Sequence, residues 1–340
     1  MKEQKFTEIH KLHDLHLQLC EPYKIIVENL FSTETITRMA DLPFLPARLF
    51  KELELRSIPY DQIFKRMMSS GTSGAKPSVI YLDKKNSIDQ RKALANIVSE
   101  LIGRSRLPLL FLDSESQIEE REAFKARGAG ILGFMIFGAR KFFALDSNMD
   151  IDEEAINAFS IYKSGGKKLV YGFTSIIWEE VLAKLKPNAA IFGDQHIFLI
   201  HGGGWKKLED LKIGAQQFNS EVKSKLGVNV EIITYYGMVE QTGSIYIGDC
   251  TNILRTNSYN DIIIRCPKTL QPLPDGETGL IQTLSTLPTS YPGHSILTED
   301  LGRIIKVNAE LTANNSKLFE VKGRLPRSEL RGCSNTYDGS

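Results

Sequence analysis

Short apolar runs alternate with amphipathic helical patterns between about residues 64 and 236. The apolar runs predict buried strands at 78–82, 107–112, 168–173, 197–200 and 230–234. The helix predicted after the first strand opens with the capping-box pattern Ser-Ile-Asp-Gln at 87–90, and its apolar residues recur every three or four positions. A later helix is predicted to end near Gly227, a typical C-cap residue. Strands that alternate with helices predict parallel strands with helices on both faces.

The helical pattern fades after about residue 245, and the residues before about 40 favour helix and loop. Short strands are predicted near the C-terminus at 261–265, 279–283, 303–307 and 318–321. We therefore predict an α/β fold with one large domain over residues 1–322. This domain has an α/β body to about residue 245 and a smaller β-rich part at 246–322, and residues 323–340 form a short C-terminal tail.

Composition and charge narrow the function classes. The chain has 340 residues, of which 42% are hydrophobic, and its formal net charge is +1. No basic excess exists to neutralise a phosphate backbone, which argues against nucleic acid as a ligand. The apolar stretch at 128–139 is far shorter than the ~20 residues of a membrane span, and no apolar signal core follows Met1. We expect a cytoplasmic protein with no integral membrane contact.

Three histidines near the N-terminus recur at every third position: His10, His13 and His16. Metal ligation needs converging geometry and usually mixed ligands, whereas this spacing is common by chance on an exposed helix. We therefore predict an exposed helix face here, with a metal site as the minor alternative.

Four scattered cysteines form no Cys-x-x-Cys pair, which argues against a zinc ribbon and a dense disulfide framework. Cys20, Cys250 and Cys266 adjoin apolar or amphipathic segments and are predicted to pack in the core. Cys333 differs because it lies in a polar tail, where burial is less expected.

The segment from 69 to 77, Ser-Ser-Gly-Thr-Ser-Gly-Ala-Lys-Pro, carries four hydroxyl groups, two glycines and a lysine between strand-like runs. Glycine lets backbone N–H groups approach an anion, hydroxyls add donors, and lysine adds positive charge. This chemistry suits a polyphosphate, although the spacing is not that of a Walker A loop. From the residues alone, a polar surface loop is an equal alternative. The candidate phosphate contacts are Ser70, Gly71, Thr72, Ser73, Gly74 and Lys76.

The Ser-Ser-Gly-Thr-Ser-Gly segment resembles the phosphate loop of the adenylate-forming superfamily, which includes acyl-CoA synthetases, firefly luciferase and nonribosomal-peptide adenylation domains. Three further segments agree in the same order: Tyr-Tyr-Gly-Met-Val-Glu at 235–240, Leu-Thr-Glu-Asp-Leu-Gly at 297–302 and Lys-Gly-Arg at 322–324. The first of these, at 235–240, has Val239 where the superfamily has threonine. The resemblance implies the superfamily's large α/β domain, with ATP and Mg²⁺ as cofactors.

The same resemblance implies a role for each matched residue. Tyr236, with Gly237 beside it, would stack on adenine. Glu240 would hold the Mg²⁺ that bridges the ATP phosphates, as a carboxylate oxygen suits this ion. Asp300 would accept hydrogen bonds from the ribose hydroxyls, and Arg324 would lie near the ribose or the α-phosphate.

Segments at 41–51 (Asp-Leu-Pro-Phe-Leu-Pro-Ala-Arg-Leu-Phe-Lys) and 331–334 (Arg-Gly-Cys-Ser) are similar to the LuxE-type acyl-protein synthetase family. His-Gly-Gly-Gly-Trp-Lys at 201–206 also fits that family, and we assign Gly203 and Gly204 to its ATP site. The family implies that a fatty-acid carboxylate attacks ATP to form acyl-adenylate and pyrophosphate, and that a thiolate then displaces AMP.

Cys333 matches the acyl-accepting cysteine of that family. Arg327 and Arg331 are close to it in sequence and would favour a thiolate. The family also implies a fatty acid or other small carboxylic acid as substrate, and an acyl-accepting reductase or carrier protein as partner. Since the chain stops at Ser340, we expect the superfamily's C-terminal domain and its lysine to be absent.

Three alternatives remain open from the sequence. An acyl- or aryl-CoA ligase of the phenylacetate-CoA ligase type would pass the acyl group to a diffusible thiol. A non-catalytic subunit would bind ATP or adenylate without turnover. A serine hydrolase could use the His201 segment, but it needs a Gly-x-Ser-x-Gly elbow that the chain lacks. Apolar residues that could line an acyl tunnel are better explained as core: Ile131, Phe134, Phe137 and Phe173.

Overall fold

The computed structural model describes residues 2–32, 36–69, 76–119, 126–162, 166–203, 213–305 and 316–325. Two helices open the chain as predicted, α1 (Lys2–Leu19) and α2 (Glu21–Leu30). A 3₁₀ turn (Met39–Asp41), the short strand β1 (Leu45–Pro46) and the one-turn helix α3 (Leu49–Glu52) follow. After a second 3₁₀ turn (Tyr60–Gln62), β2 (Lys65–Met68) and β3 (Val79–Leu82) pair as an antiparallel hairpin.

Strands and helices then alternate as the sequence predicts. The elements are α4 (Lys84–Ile102), β4 (Leu107–Ser114), α5 (Ser116–Glu119), α6 (Ala126–Phe134), a 3₁₀ turn (Met135–Phe137), β5 (Gly138–Leu145), α7 (Glu153–Ile161), β6 (Lys167–Phe173), α8 (Thr174–Ile176), a π-helical turn (Ile177–Leu182), β7 (His196–Gly202), α9 (Ala215–Leu226) and β8 (Val230–Tyr236). Strands β4 to β8 pair in parallel in the order β5-β4-β6-β7-β8. None of the described helices is long and apolar enough to cross a bilayer.

Antiparallel strands extend the same sheet toward the C-terminus. They are β9 (Tyr246–Gly248), β10 (Leu254–Arg255), β11 (Asn260–Arg265), β12 (Gly279–Ser285), β13 (Ser295–Ile304) and β14 (Leu318–Arg324). Beyond β8 the order is β9-β10-β14-β13-β12-β11, and β1 adds to β13 in parallel. The strand predicted at 303–307 is instead the end of the longer β13. The parallel and antiparallel strands therefore form one continuous mixed sheet.

Helices cover both faces of the parallel strands. On one face, α7, the π-helical turn and α9 bury Phe159, Val181 and Phe218 against the sheet. On the other face, α4 and α6 bury Ile97 and Phe134. Strands that are covered on both sides bury nearly every side chain, which explains the almost continuous apolar runs of β4, β6 and β7. The predicted α/β arrangement is confirmed.

Helix α4 begins one turn earlier than predicted. The Asp83 side chain accepts a hydrogen bond from the Asn86 backbone N–H at 2.6 Å, so Asp83 is the N-cap. Ser87 is already inside the helix and is buried, so the capping-box prediction at 87–90 is wrong. The predicted C-cap is confirmed, because α9 ends at Gly227 with φ of 145°.

The cysteine predictions are confirmed in part. Cys20 is buried and Cys266 is partly exposed, whereas Cys250 is exposed in the turn after β9. The prediction that Cys250 packs in the core is therefore wrong, because the apolar segment beside it ends at the edge of that turn. The residues weighed as tunnel or core are mainly core: Ile131, Phe134 and Phe137 are buried and Phe173 is partly buried.

His13 and His16 are buried, so the prediction of an exposed histidine face is wrong for both. The His13 Nδ1 atom lies 2.7 Å from the Tyr23 hydroxyl, which lies 3.2 Å from Nε2 of His294. The His16 Nδ1 atom lies 2.7 Å from the Ser57 hydroxyl, and its ring stacks on His294. Within the described residues, no group of histidine, cysteine or acidic side chains is placed to hold a metal ion. The histidines instead fasten α1 and α2 to the loop before β13.

We predict that this histidine cluster makes the fold acid-sensitive. Burial lowers the pKa of His13 and of His16 from 6.5 to about 4. The unfolded state therefore binds more protons between these values, and the free energy of unfolding falls as the pH drops from about 6.5 to about 4. With about 1.4 kcal/mol per pKa unit, the loss is on the order of several kcal/mol.

Urea unfolding across this pH range measures how steeply the free energy of unfolding depends on pH. His16→Gln should flatten the dependence, whereas His10→Gln should not, since His10 is partly exposed on the same helix. Equal slopes for wild type and His16→Gln would contradict the prediction.

Candidate active site

The carboxyl ends of the parallel strands meet at one edge of the sheet. Gly202 at the end of β7 lies opposite Tyr235 of β8, and β8 ends one residue later at Tyr236. The chain then passes through Gly237 into a 3₁₀ turn at Val239–Gln241. In open α/β sheets, ligands bind outside this edge. Several residues predicted to bind ATP lie here.

Asp300 on β13 connects two of the predicted site residues. The Tyr236 hydroxyl donates a hydrogen bond to Asp300 Oδ2 at 2.7 Å. From β14, where Arg324 lies directly opposite Asp300, the Arg324 Nε atom donates to Asp300 Oδ1 at 3.0 Å. Each carboxylate oxygen keeps acceptor capacity for a further donor. The carboxylate is thus oriented and can still accept hydrogen bonds from ligand hydroxyls.

Tyr236 is held in place by two further aromatic rings. Its ring centroid lies 6.0 Å from that of Tyr246 and 6.4 Å from that of Phe319. Burial raises the pKa of Tyr236 well above its ordinary value, and the negative charge of Asp300 raises it further. The hydroxyl therefore stays protonated and donates. A fixed aromatic ring at the end of a strand can offer an apolar surface to a nucleobase.

Glu240 is a buried carboxyl group, with 6% of its surface exposed. Burial raises the pKa of Glu240, and the Ser78 hydroxyl beside it partly opposes this rise. The positive charges of Lys51 and Arg324 also lower the pKa of Glu240. A divalent cation would favour the charged carboxylate over the protonated form and prefers oxygen ligands. Glu240 and its surroundings therefore fit the Mg²⁺ that the sequence implies.

The turn that carries Glu240 is locked against the sheet. The Gln241 side-chain amide donates hydrogen bonds to the carbonyl oxygens of Gly293 at 2.8 Å and Thr283 at 3.2 Å. Gly293 must be glycine here, because a Cβ atom would lie 2.7 Å from the Glu240 carbonyl oxygen. The carboxyl group is therefore presented from a fixed backbone.

A hydrogen-bonded neck closes the base of the predicted phosphate loop. The Ser69 N–H donates to the Ser78 carbonyl oxygen at 3.0 Å, and the Ser78 N–H donates to the Ser69 hydroxyl oxygen at 2.9 Å. Since the Ser78 hydroxyl also lies beside Glu240, the neck adjoins the candidate metal ligand. Lys76 is exposed. Five predicted phosphate contacts lie outside the described residues: Ser70, Gly71, Thr72, Ser73 and Gly74.

Two predicted glycines lie at the same edge of the sheet. Gly203 follows β7 with φ of 70°, a left-handed conformation that favours glycine. Gly237 follows β8 and is exposed. Two other predicted site residues, Gly204 and Cys333, lie outside the described residues.

His201 does not have the environment of a hydrolase residue. Its Nδ1 atom lies 3.0 Å from the Thr174 hydroxyl, and its ring packs against Phe218 with centroids 4.7 Å apart. Burial lowers its pKa to about 3, so the ring is neutral. These contacts support a packing role for His201.

The structure thus brings Tyr236, Glu240, Asp300 and Arg324 together with the neck of the loop. Sequence reasoning missed two neighbours of Glu240, which are Ser78 and Lys51. Ser78 directly follows the loop motif, and Lys51 ends the 41–51 segment that carries the family resemblance, so both had a signal in the sequence.

Two cavities of about 460 and 330 Å³ lie away from this edge. The first borders the start of β4 and of β6, and it is lined by Arg104, Arg106 and Lys167 among others. The second borders the start of β8. Both cavities lie at the edge formed by the amino ends of the parallel strands, whereas the clustered site residues lie at the edge formed by the carboxyl ends.

The chain is similar in fold to several solved structures. An open conformation of 2-hydroxyisobutyryl-CoA ligase, in complex with 2-HIB-AMP and CoA, matches with a TM-score of 0.66 and 14% identity, covering 95% of this chain and 74% of that chain. ATP-bound MatB from Rhodopseudomonas palustris matches with a TM-score of 0.51 and 13% identity, covering 79% and 49%. At these identities the likeness shows the fold, which confirms the predicted fold class.

Two curated relatives resemble the chain over nearly its whole length, and both are named long-chain-fatty-acid–luciferin-component ligase. The protein from Vibrio harveyi is 22% identical over 329 residues, covering 95% of this chain and 84% of the relative. The protein from Aliivibrio fischeri is 22% identical over 341 residues, covering 98% and 87%. The model of the family described as "Acyl-protein synthetase, LuxE" matches residues 3–339. The chain therefore belongs to the LuxE family of acyl-protein synthetases.

Proposed function

We propose that this protein activates a long-chain fatty acid with ATP and transfers the acyl group to a protein thiol, with Cys333 as its first acceptor. The observation that carries the proposal is the contact of Asp300 with Tyr236 and Arg324 beside the buried Glu240. Family membership and the names of the two relatives support a fatty acid as the substrate.

The first step is adenylation. A carboxylate oxygen of the fatty acid attacks the α-phosphorus of ATP, the bond from this phosphorus to the oxygen that bridges to the β-phosphate breaks, and pyrophosphate leaves. Arg324, oriented by Asp300, supplies positive charge near the ribose and α-phosphate. Mg²⁺, held by Glu240 when bound, would further neutralise the phosphate charge. The protein contributes mainly positioning and electrostatic stabilisation.

The second step forms a thioester. The Cys333 thiolate attacks the carbonyl carbon of the acyl-adenylate, the bond from this carbon to the phosphate oxygen breaks, and AMP leaves with the electron pair. Arg327 and Arg331 favour the thiolate because they are cations close in sequence. An acyl-accepting reductase or carrier protein would then take the acyl group from Cys333. We propose a cytoplasmic location for this chemistry.

Two alternatives differ in the fate of the adenylate. A CoA ligase would transfer the acyl group to CoA, and a non-catalytic subunit would bind nucleotide without turnover. Three measurements after incubation with ATP, Mg²⁺, CoA and mixed fatty acids separate the three functions: the intact mass of the protein, acyl-CoA in solution and pyrophosphate–ATP exchange. Self-acylation supports the proposal, acyl-CoA without self-acylation supports the CoA ligase, and no fatty-acid-dependent pyrophosphate–ATP exchange supports the non-catalytic subunit.

Cys333→Ser should abolish the covalent acyl adduct while pyrophosphate–ATP exchange stays within about twofold of wild type, because the thiol acts only after adenylation. Intact mass and exchange are measured on the same preparation. Cys250→Ser is the matched control, since Cys250 is an exposed cysteine. An adduct that survives in Cys333→Ser and is lost in Cys250→Ser would place the acceptor elsewhere.

Asp300→Asn should raise the KM for ATP by roughly 10- to 100-fold, the loss expected when hydrogen bonds to a charged group are removed. The KM for the fatty acid should change much less, because Asp300 is assigned to the ribose. Exchange kinetics at varied ATP measure the effect, and Asp275→Asn at an exposed position is the control. A selective rise in the fatty-acid KM would argue against this assignment.

Glu240→Gln should increase the Mg²⁺ concentration for half-maximal exchange by about 10-fold or more, because a neutral amide is a poorer ligand for this ion than a carboxylate. Titration of Mg²⁺ at saturating ATP gives the value. Glu277→Gln, at an exposed position, should match wild type. An unchanged Mg²⁺ dependence in Glu240→Gln would remove Glu240 from the metal site.

A further inference from the structure

The short helix α3 is fixed beside the candidate active site by backbone pairing. Leu45 and Pro46 of β1 lie opposite Ile296 and Leu297 of β13. The Ala47 N–H then donates to the Leu297 carbonyl oxygen at 2.9 Å, immediately before α3. Since Leu297 is only three residues before Asp300 on the same strand, this pairing fixes the start of α3 close to the Asp300 carboxylate.

Apolar packing places α3 between the other elements of the site. Phe50 is buried and meets the Tyr291 ring edge-on, with centroids 6.3 Å apart. It shares one apolar cluster with Ile80 of β3 and Val239 of the Glu240 turn. These contacts join α3 to the strand after the phosphate loop and to the turn that carries the candidate metal ligand.

Lys51 directly follows the buried Phe50 and is itself partly buried. Its ammonium and the Arg324 guanidinium are the cations whose charges lower the pKa of Glu240 against the effect of burial. Among the described residues, the Lys51 side chain makes no ion pair and no hydrogen bond. Other lysines on this chain do pair, as Lys85 does with Asp89 at 2.7 Å. A partly buried cation that forms no ion pair, close to a carboxyl group suited to Mg²⁺, leaves the site able to take an anionic ligand.

We propose that Lys51 binds the β- or γ-phosphate of ATP and stabilises the charge on the departing pyrophosphate during adenylation. This inference rests on the proposed function. As the bond between the α-phosphorus and its bridging oxygen breaks, the electron pair and its negative charge move to the pyrophosphate, opposite a cation that α3 holds in place. Pyrophosphate has left before the thiol attacks, so Lys51 serves only the first step.

Two assays separate the steps. Fatty-acid-dependent pyrophosphate–ATP exchange reports adenylation, and acylation of the protein by a synthetic acyl-adenylate bypasses it. Lys51→Gln should lower exchange by about 100-fold, as expected for the loss of one charge-stabilising group, while acylation from synthetic adenylate stays within about twofold. Lys84→Gln, at an exposed lysine, should leave both assays unchanged.

Lys51→Arg tests whether the positive charge is what matters, because it keeps the charge and a long side chain. It should retain at least about a tenth of wild-type exchange, and all variants should melt near the wild-type temperature. Equal loss in both assays, or no loss in exchange, would overturn the inference. Wild-type protein that lacks exchange would instead refute the proposed function, so the two failures are distinguishable.

Discussion

The hydrogen bond between Tyr236 and Asp300 imposes a shape on the whole sheet. Their strands β8 and β13 are separated by β9, β10 and β14 in the sheet order. Neighbouring strands lie about 4.8 Å apart, so a flat sheet would hold these two strands roughly 19 Å apart. The Tyr236 and Asp300 side chains together are too short to span that separation, so their contact at 2.7 Å requires the sheet to curl over this region. The intervening β9 and β10 are very short, which allows the bend.

This curl explains why the site contains residues from both parts of the sheet. The parallel part contributes Tyr236 at a strand end, where side chains project beyond the sheet edge. The antiparallel part contributes Asp300 and Arg324 as direct neighbours on adjacent strands. Neither part alone would hold a carboxylate against both an aromatic hydroxyl and a guanidinium. The candidate site is thus a product of strand order as much as of residue type.

The charges within the candidate site suit a ligand that is itself highly charged. Glu240 is buried, and burial disfavours its carboxylate form more than the charges of Lys51 and Arg324 favour it. Arg324 is oriented by Asp300, whereas Lys51 forms no ion pair among the described residues. ATP with a bound metal ion would complement both the acidic and the basic groups. The chain as a whole is almost neutral, so this is a local property of the site and not a consequence of composition.

Local patterns in the sequence determined the alternation of strands and helices and the C-cap at Gly227. Short motifs also predicted Tyr236, Glu240, Asp300 and Arg324 as site residues. These features depend on periodicity and on short motifs, which are local by nature. Reliance on a short motif also caused an error. The capping-box pattern at 87–90 predicted the start of α4 one turn too late, because the Asp83 cap lies outside the matched residues.

Only the tertiary structure decided which distant residues become neighbours. The burial of His13 and His16 depends on contacts with His294 and Ser57, far along the chain, and helical spacing alone gives no sign of those partners. In the same way, Lys51 lies close to Glu240 because β1 pairs with β13 and apolar packing joins α3 to the turn. Such proximity follows from strand order and long-range packing, which no local pattern encodes.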